Sequence, residues 1–264
     1  MILKDIIAHL EQVAPLEYQE SYDNSGLIVG NESLEVTSAV VSLDCTEEVV
    51  EEAITKGANL IISHHPIVFS GLKRFTGSDY VERTVIKAIE NKIAIYAIHT
   101  NLDSVINGVN KKIGDQLGLK NLSILKPKLG LSANIINVGS GMIGTVETPL
   151  NELSFLKHVK QALNAPAIKY TNLLNKPVAK VAFCGGSGSF LLPEAIAQGA
   201  DVFITSDFKY HQYFDADNQI VIVDVGHYEA EKCTKELICE ILTEKFPIFT
   251  LHFSEINTNP VNYL

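Results

Sequence analysis

Five of the eight histidines in this 264-residue chain stand where a run of β-branched residues ends. After Asn59–Ile62 comes Ser63-His64-His65-Pro66, and after Ile93–Ile98 comes His99-Thr100-Asn101-Leu102-Asp103. Val202–Thr205 runs into Ser206-Asp207-Phe208-Lys209-Tyr210-His211, and Ile220–Val223 into Asp224-Val225-Gly226-His227-Tyr228-Glu229-Ala230-Glu231. His227 and Glu231 are four apart, so a helix beginning near His227 puts both on one face and points Glu229 off it. Imidazole and carboxylate together suit a divalent transition metal such as zinc, iron or manganese. Three imidazoles and two carboxylates, completed by water, are enough for two ions that share a bridging carboxylate. A single histidine at a strand end is ordinarily a hydrogen-bonded structural residue. The metal reading rests on the recurrence of His64/His65, His99/Asp103 and His227/Glu231 at equivalent places.

Other polar groups carry less. His9 and His158 fall in helical stretches and His252 near the C-terminus, where packed or solvated roles are expected. His211, in the polar stretch Asp207–His211, stays open between a structural and a functional role. The loop Gly185-Gly186-Ser187-Gly188-Ser189 is either an anion cradle built from backbone N–H groups or a tight turn. It is not a phosphate-binding loop of the Walker type, because no Gly-Lys-Ser/Thr follows. Nothing in the order of residues suggests a Ser-His-Asp triad.

The elements that must position these groups alternate. The strand candidates Ala39–Leu43, Asn59–Ile62, Ile93–Ile98, Val181–Cys184, Val202–Thr205 and Ile220–Val223 are separated by helical spacing. That spacing covers Thr46–Thr55, Tyr80–Asn91, Gly108–Leu117, Pro193–Gln198 and Tyr228–Lys245. Such alternation predicts an α/β fold with largely parallel sheets, whose sites lie beyond the carboxyl ends of strands. The chain also repeats itself: Glu52–Ser63 lines up with Glu194–Thr205, each with a glycine (Gly57, Gly199) between helix and strand. The repeat is either convergence on a common helix–Gly–strand unit or the mark of two related α/β lobes. The lobes are expected at 1–125 and 141–264. Between them lies a linker at 126–140, within the Gly-, Pro-, Lys- and Ser-rich stretch Asn121–Gly141.

Composition narrows the function classes. The chain is 46% hydrophobic and 20% charged, a globular profile, and its net charge of −10 gives no general pull on phosphate backbones or anionic lipid. Nucleic acid is therefore a disfavoured partner. No apolar run approaches the ~18 residues that would span a bilayer. Ile6, Ile7, Leu10 and Val13 read as an amphipathic helix, not a signal peptide. Cys45, Cys184, Cys233 and Cys239 form no C-x-x-C pair, which predicts reduced thiols and a cytoplasmic protein.

Taken in order, Tyr22-Asp23-Asn24-Ser25-Gly26-Leu27, Ser63–Pro66, His99–Asp103, Gly185–Gly188 and Gly226–Glu231 resemble the motif set of the Nif-three-like family, often labelled GTP cyclohydrolase 1 type 2 homologue. The resemblance covers nearly the whole chain. It implies two similar α/β lobes with a dinuclear metal site in the cleft between them, and a toroidal homohexamer. It also implies His64, His65, Asp103, His227 and Glu231 as the ligands of two divalent ions, with Glu231 the bridge. Two departures stand out. Many relatives read Trp where this chain has Tyr22, and longer relatives carry an inserted domain near Lys126–Gly141 that is missing here.

Two functions follow as expectations. One is a metal-dependent hydrolase acting on a small nucleotide or other phosphorylated or heterocyclic substrate. The ions would activate water, His99 would hold Asp103 or the solvent from behind, and Gly185, Gly186, Ser187 and Gly188 would receive an anionic group. The other is a non-catalytic metal-binding ring that serves as scaffold, regulator or metal carrier. Turnover separates them.

Overall fold

The computed structural model describes residues 1–128 and 137–264, so 129–136 of the expected linker lie outside the described residues. In chain order the strands are β1 (Gly26–Val29), β2 (Ser38–Ser42), β3 (Leu60–Ser63), β4 (Ala94–Ala97), β5 (Lys120–Pro127), β6 (Gly139–Asn151), β7 (Lys169–Tyr170), β8 (Pro177–Ser187), β9 (Val202–Ser206), β10 (Val221–Asp224) and β11 (Thr250–Phe253). The helices are α1 (Leu3–Val13), α2 (Glu47–Lys56), α3 (Tyr80–Glu90), α4 (Thr100–Ser104), α5 (Val109–Gln116), α6 (Glu152–Ala162), α7 (Leu192–Ala197), α8 (His227–Glu231) and α9 (Thr234–Lys245). They build two compact units. The first is Met1–Leu102 with Thr234–Pro260, the second Asp103–Cys233 with Val261–Leu264.

The first unit holds a sheet of order β1-β4-β3-β2-β11, parallel except for β1 at its edge. β2, β3 and β4 are buried along their whole length, as expected of parallel strands covered on both faces. Val40, Ile61 and Ile95 face one way and join Val49, Val50 and Ala53 of α2 and Val85 and Ala88 of α3 in one core. α9 packs on β2 and β11, and α1 on α9. The second unit has a sheet of order β5-β6-β8-β9-β10-β7, in which β8, β9 and β10 are parallel and the rest antiparallel.

The internal repeat is a repeat of structure. Gly57 and Gly199 both adopt left-handed backbone, with φ of 65° and 70°, and so end α2 and α7 without a Cβ penalty. Ala58 N bonds Ala53 O at 2.9 Å, and Ala200 N bonds Ala195 O at 3.0 Å. Thr37 N donates to Asn59 Oδ1 and Ala179 N to Asp201 Oδ2, each at 2.9 Å, at matching positions before the strand. The register of β3 on β4, Leu60 opposite Ala94, recurs as Val202 opposite Val221. Two similar α/β units are therefore present.

Three details differ from the sequence expectation. Tyr228–Lys245 is not one helix: α8 belongs to the second unit and α9 to the first, and the chain turns at Lys232-Cys233 to change partners. Lys126-Pro127 and Gly139-Ser140, at the two ends of the expected linker, are strand residues, with Lys126 opposite Ser140 and Pro127 opposite Gly139. The glycines there permit close pairing, since a Cβ on Gly139 would stand 2.3 Å from Lys126 O. Val181–Cys184 is the centre of a strand of 11 residues, Pro177–Ser187, that includes the first half of the glycine-rich stretch.

Candidate metal centre

In the first unit the pairing of β3 carries on past its end: His64 N donates to Ser42 O at 3.2 Å and His65 N to Leu43 O at 2.9 Å. Both rings are thereby brought beside that of His99, which follows β4. The ring centroids are 4.9 Å apart for His64–His65 and 5.2 Å for His64–His99 and His65–His99. Each ring is held by its Nδ1. His64 donates to Ile98 O at 2.9 Å, His65 to Asp44 Oδ1 at 2.7 Å, and His99 to Asp23 Oδ1 at 2.7 Å. Carbonyl and carboxylate oxygens only accept, so each ring donates from Nδ1, which leaves Nε2 as the atom that can ligate a metal when the ring is neutral. One ligating atom from each of the three lies within 4.8 Å of the other two.

The aspartates behind the rings are themselves fixed. Asp23 also accepts from Asn24 N at 2.7 Å, Ser25 Oγ and Thr100 N at 3.0 Å, and Thr100 Oγ1. Burial alone would raise its pKa, but His99, Thr100 and the Asn24 N–H hold it well below the usual carboxylate range. Asp44 is lowered in the same way: burial opposes, and His65, Thr258 and the nearby His64 prevail.

In the second unit β10 ends at Asp224, and Gly226, with φ of 88°, starts α8 at His227. His227 lies between two carboxylates, Nδ1 at 2.6 Å from Asp207 Oδ2 and Nε2 at 2.9 Å from Glu231 Oε2. Burial works against its charged form, yet Glu231 and Asp207 raise its pKa to about 11. Glu231 is buried and presses against β8: a Cβ on Gly186 would stand 2.3 Å from Glu231 Oε1. Asp103 belongs to α4, and its carbonyl accepts from Asn110 Nδ2 at 3.1 Å while Asn110 Oδ1 accepts from Gly185 N at 2.9 Å. Burial, with the negative charges of Asp103 and Glu231 close by, pushes the Cys184 thiol strongly up.

His64, His65 and His99 converge in the first unit, and Asp103, His227 and Glu231 gather around β8 in the second. Of the glycine-rich loop, Gly185 gives its N–H to Asn110 and Gly186 makes room for Glu231, while Ser187 is exposed. His211 is exposed and contacts only Tyr210 and Phe214 among the ring contacts described. His9 and His158 have packed roles, on Ile241 O at 3.1 Å and Leu117 O at 2.9 Å.

Asp23, Asp44 and Asp207 escaped the sequence reading. Asp23 stood inside the Tyr22–Leu27 motif, and Asp207 directly after a strand, but neither spacing shows which imidazole it supports. Imidazoles held at Nδ1 by a carbonyl or a carboxylate, with a buried glutamate beside another imidazole, are donor chemistry that fits divalent zinc, iron or manganese.

A curated Clostridium perfringens protein called GTP cyclohydrolase 1 type 2 homolog is 35% identical over 232 residues, which is 88% of this chain and 87% of that one. A Staphylococcus epidermidis protein of the same name is 29% identical with both chains fully covered. That alignment runs over 370 positions against 264 residues here, so the relative is the longer form. The crystal structure of a Staphylococcus aureus hypothetical protein is 31% identical, with a TM-score of 0.91 over 100% of this chain and 99% of that one. The family model described as Duf34/NIF3 (NGG1p interacting factor 3) matches residues 1–260. Matched over almost its whole length, and similar end to end to a solved structure, the chain belongs to the Duf34/NIF3 family.

Proposed function

We propose that this chain is a dinuclear metal-dependent hydrolase in which His64, His65, Asp103, His227 and Glu231 hold two divalent cations and Glu231 bridges them. The observation that carries the reading is the set of rings His64, His65 and His99, each with Nδ1 given to a fixed acceptor and a ligating atom within 4.8 Å of its neighbours. A packed core has no need to hold three imidazoles by Nδ1 with ligating atoms gathered together. Bound divalent ions supply Lewis acidity toward a carbonyl or phosphoryl oxygen and lower the pKa of water.

The protein groups do the rest. Ile98 O and Asp44 fix His64 and His65, and Gly186 leaves room for Oε1 of Glu231. His99 Nε2 is the acceptor for the proton of the attacking water, with Asp23 stabilising the charged ring. The exposed Ser187, with Gly188 after it, is the part of the glycine-rich loop that receives an anionic group of the substrate. The substrate class is a nucleotide or another phosphorylated or heterocyclic compound, and the name carried by the curated relatives makes GTP the first to try. The assembly proposed is a ring of six chains.

The test is turnover by protein reconstituted with zinc, iron(II) or manganese(II) against nucleotides, phosphodiesters and amides. The reading expects metal-dependent hydrolysis that Glu231→Gln abolishes. Reversible metal binding with no hydrolysis across that panel would make the chain a carrier or scaffold instead.

A further inference from the structure

The segment Tyr22–Leu27 has given the metal centre Asp23 but has left its aromatic residue without a task. Tyr22 is 61% exposed and Phe69, four residues after His65, is 48% exposed. Their rings are 6.2 Å apart and tilted at 42°, and Phe69 meets the His99 ring edge-on at 6.2 Å. A single exposed aromatic residue is unremarkable on a protein surface. Two that touch each other and the imidazole of a metal-type cluster form a different arrangement.

The pair is held, not draped. Asn24 Nδ2 donates to Val68 O at 2.6 Å, joining the two loops beside their aromatic residues. Asp23, next to Tyr22, receives His99 Nδ1 at 2.7 Å. The bonds that fix the imidazole thus also fix the aromatic pair relative to it. Rigid aromatic faces favour flat, unsaturated partners through stacking and edge contacts, beyond what apolar area alone provides.

We propose that Tyr22 and Phe69 form a subsite for a planar aromatic ring of the substrate, whose polar end reaches the metal centre beside His99. This rests on the metal reading above, and it adds to it the shape of the group next to the ions.

The experiment uses the metal-loaded full chain and two probes of nearly equal size, benzohydroxamate and cyclohexanecarbohydroxamate. They share the metal-binding group and differ in whether the ring is flat. Calorimetry should show benzohydroxamate binding roughly five- to tenfold more tightly. Tyr22→Ala and Phe69→Ala should each bring that ratio toward one with metal content unchanged, while Tyr22→Trp keeps it. Equal affinities in the native protein, or a ratio untouched by both alanine variants, would overturn the subsite and leave the metal reading standing. An unchanged ratio with a smaller assembly mass in those variants would overturn it too, making the pair a contact between copies. Failure of both hydroxamates to bind the metal-loaded protein would overturn the subsite, and failure of the protein to take up metal at all would overturn the metal reading and the subsite together.

Discussion

His65 Nδ1 lies 2.7 Å from one oxygen of Asp44, and the other oxygen of that carboxylate accepts from Thr258 Oγ1 at 2.5 Å. The imidazole is therefore aimed by an aspartate that is itself aimed by a hydroxyl 214 residues further along the chain. Removing such a support typically lowers metal affinity by about 10- to 100-fold. Asp44→Ala should fall in that range, measured by competition against a chromogenic chelator. Asp44→Asn should lose less, because the amide oxygen still accepts from Nδ1. Thr258→Val should lose less again, and Thr258→Ser almost nothing.

Gly186 and Gly57 make a matched pair of substitutions. Both have left-handed backbone, with φ of 61° and 65°, so alanine costs about 1 kcal/mol of strain at either. At Gly57 nothing lies within 4 Å of the new Cβ, whereas at Gly186 it would stand 2.3 Å from Glu231 Oε1. Gly57→Ala should keep native metal content with a slightly lower melting temperature. Gly186→Ala should bind less than half the native metal by elemental analysis.

Glu231 and Glu229 separate bridging from burial. Glu231→Gln should empty both proposed metal positions and abolish turnover with the fold intact by circular dichroism, because an amide offers one acceptor oxygen and no charge. Glu229 lies off the ligand face, as its spacing suggests, but it is buried rather than solvated, with Oε2 against Gly226. Glu229→Gln should keep both metals and show a reduced melting temperature.

The charge of His227 gives metal uptake a pH dependence. Burial disfavours the imidazolium, yet Glu231 and Asp207 raise its pKa to about 11, so the ring is charged at neutral pH before a cation arrives. Coordination needs the neutral ring, so uptake near pH 7.5 should release at least one proton per chain and tighten as pH rises. Calorimetry in buffers of different ionisation enthalpy reads that number. For the metal-free protein the sign is opposite. A pKa raised from 6.5 to about 11 contributes stability that is complete below pH 6.5 and is lost as pH rises through 11. His227→Gln should flatten that decline.

The parallel strands were legible because Ala39–Leu43, Asn59–Ile62 and Val202–Thr205 are short, mostly apolar runs rich in β-branched residues, and the glycines of the repeat mark where helices must end. The candidate ligands were legible because His64, His65, His99, Asp103, His227 and Glu231 all follow such runs. Their supports were not. Asp23, Asp44 and Asp207 lie 76, 21 and 20 residues from the imidazoles they hold, and nothing local distinguishes them among 31 acidic residues. The break between α8 and α9 was hidden for a related reason. Helical spacing runs on through Lys232-Cys233, and only the change of folding unit interrupts it. Tertiary partners decide such features, and local periodicity does not record them.

The central claim is two ions per chain on five named ligands, and the most direct measurement is anomalous scattering from crystals of protein purified without chelator, with elemental analysis of the same sample. The account predicts two divalent ions per chain, coordinated by His64, His65, Asp103, His227 and Glu231, with Glu231 touching both. A single ion held by His64, His65 and His99 alone, or no ion at all, would contradict it.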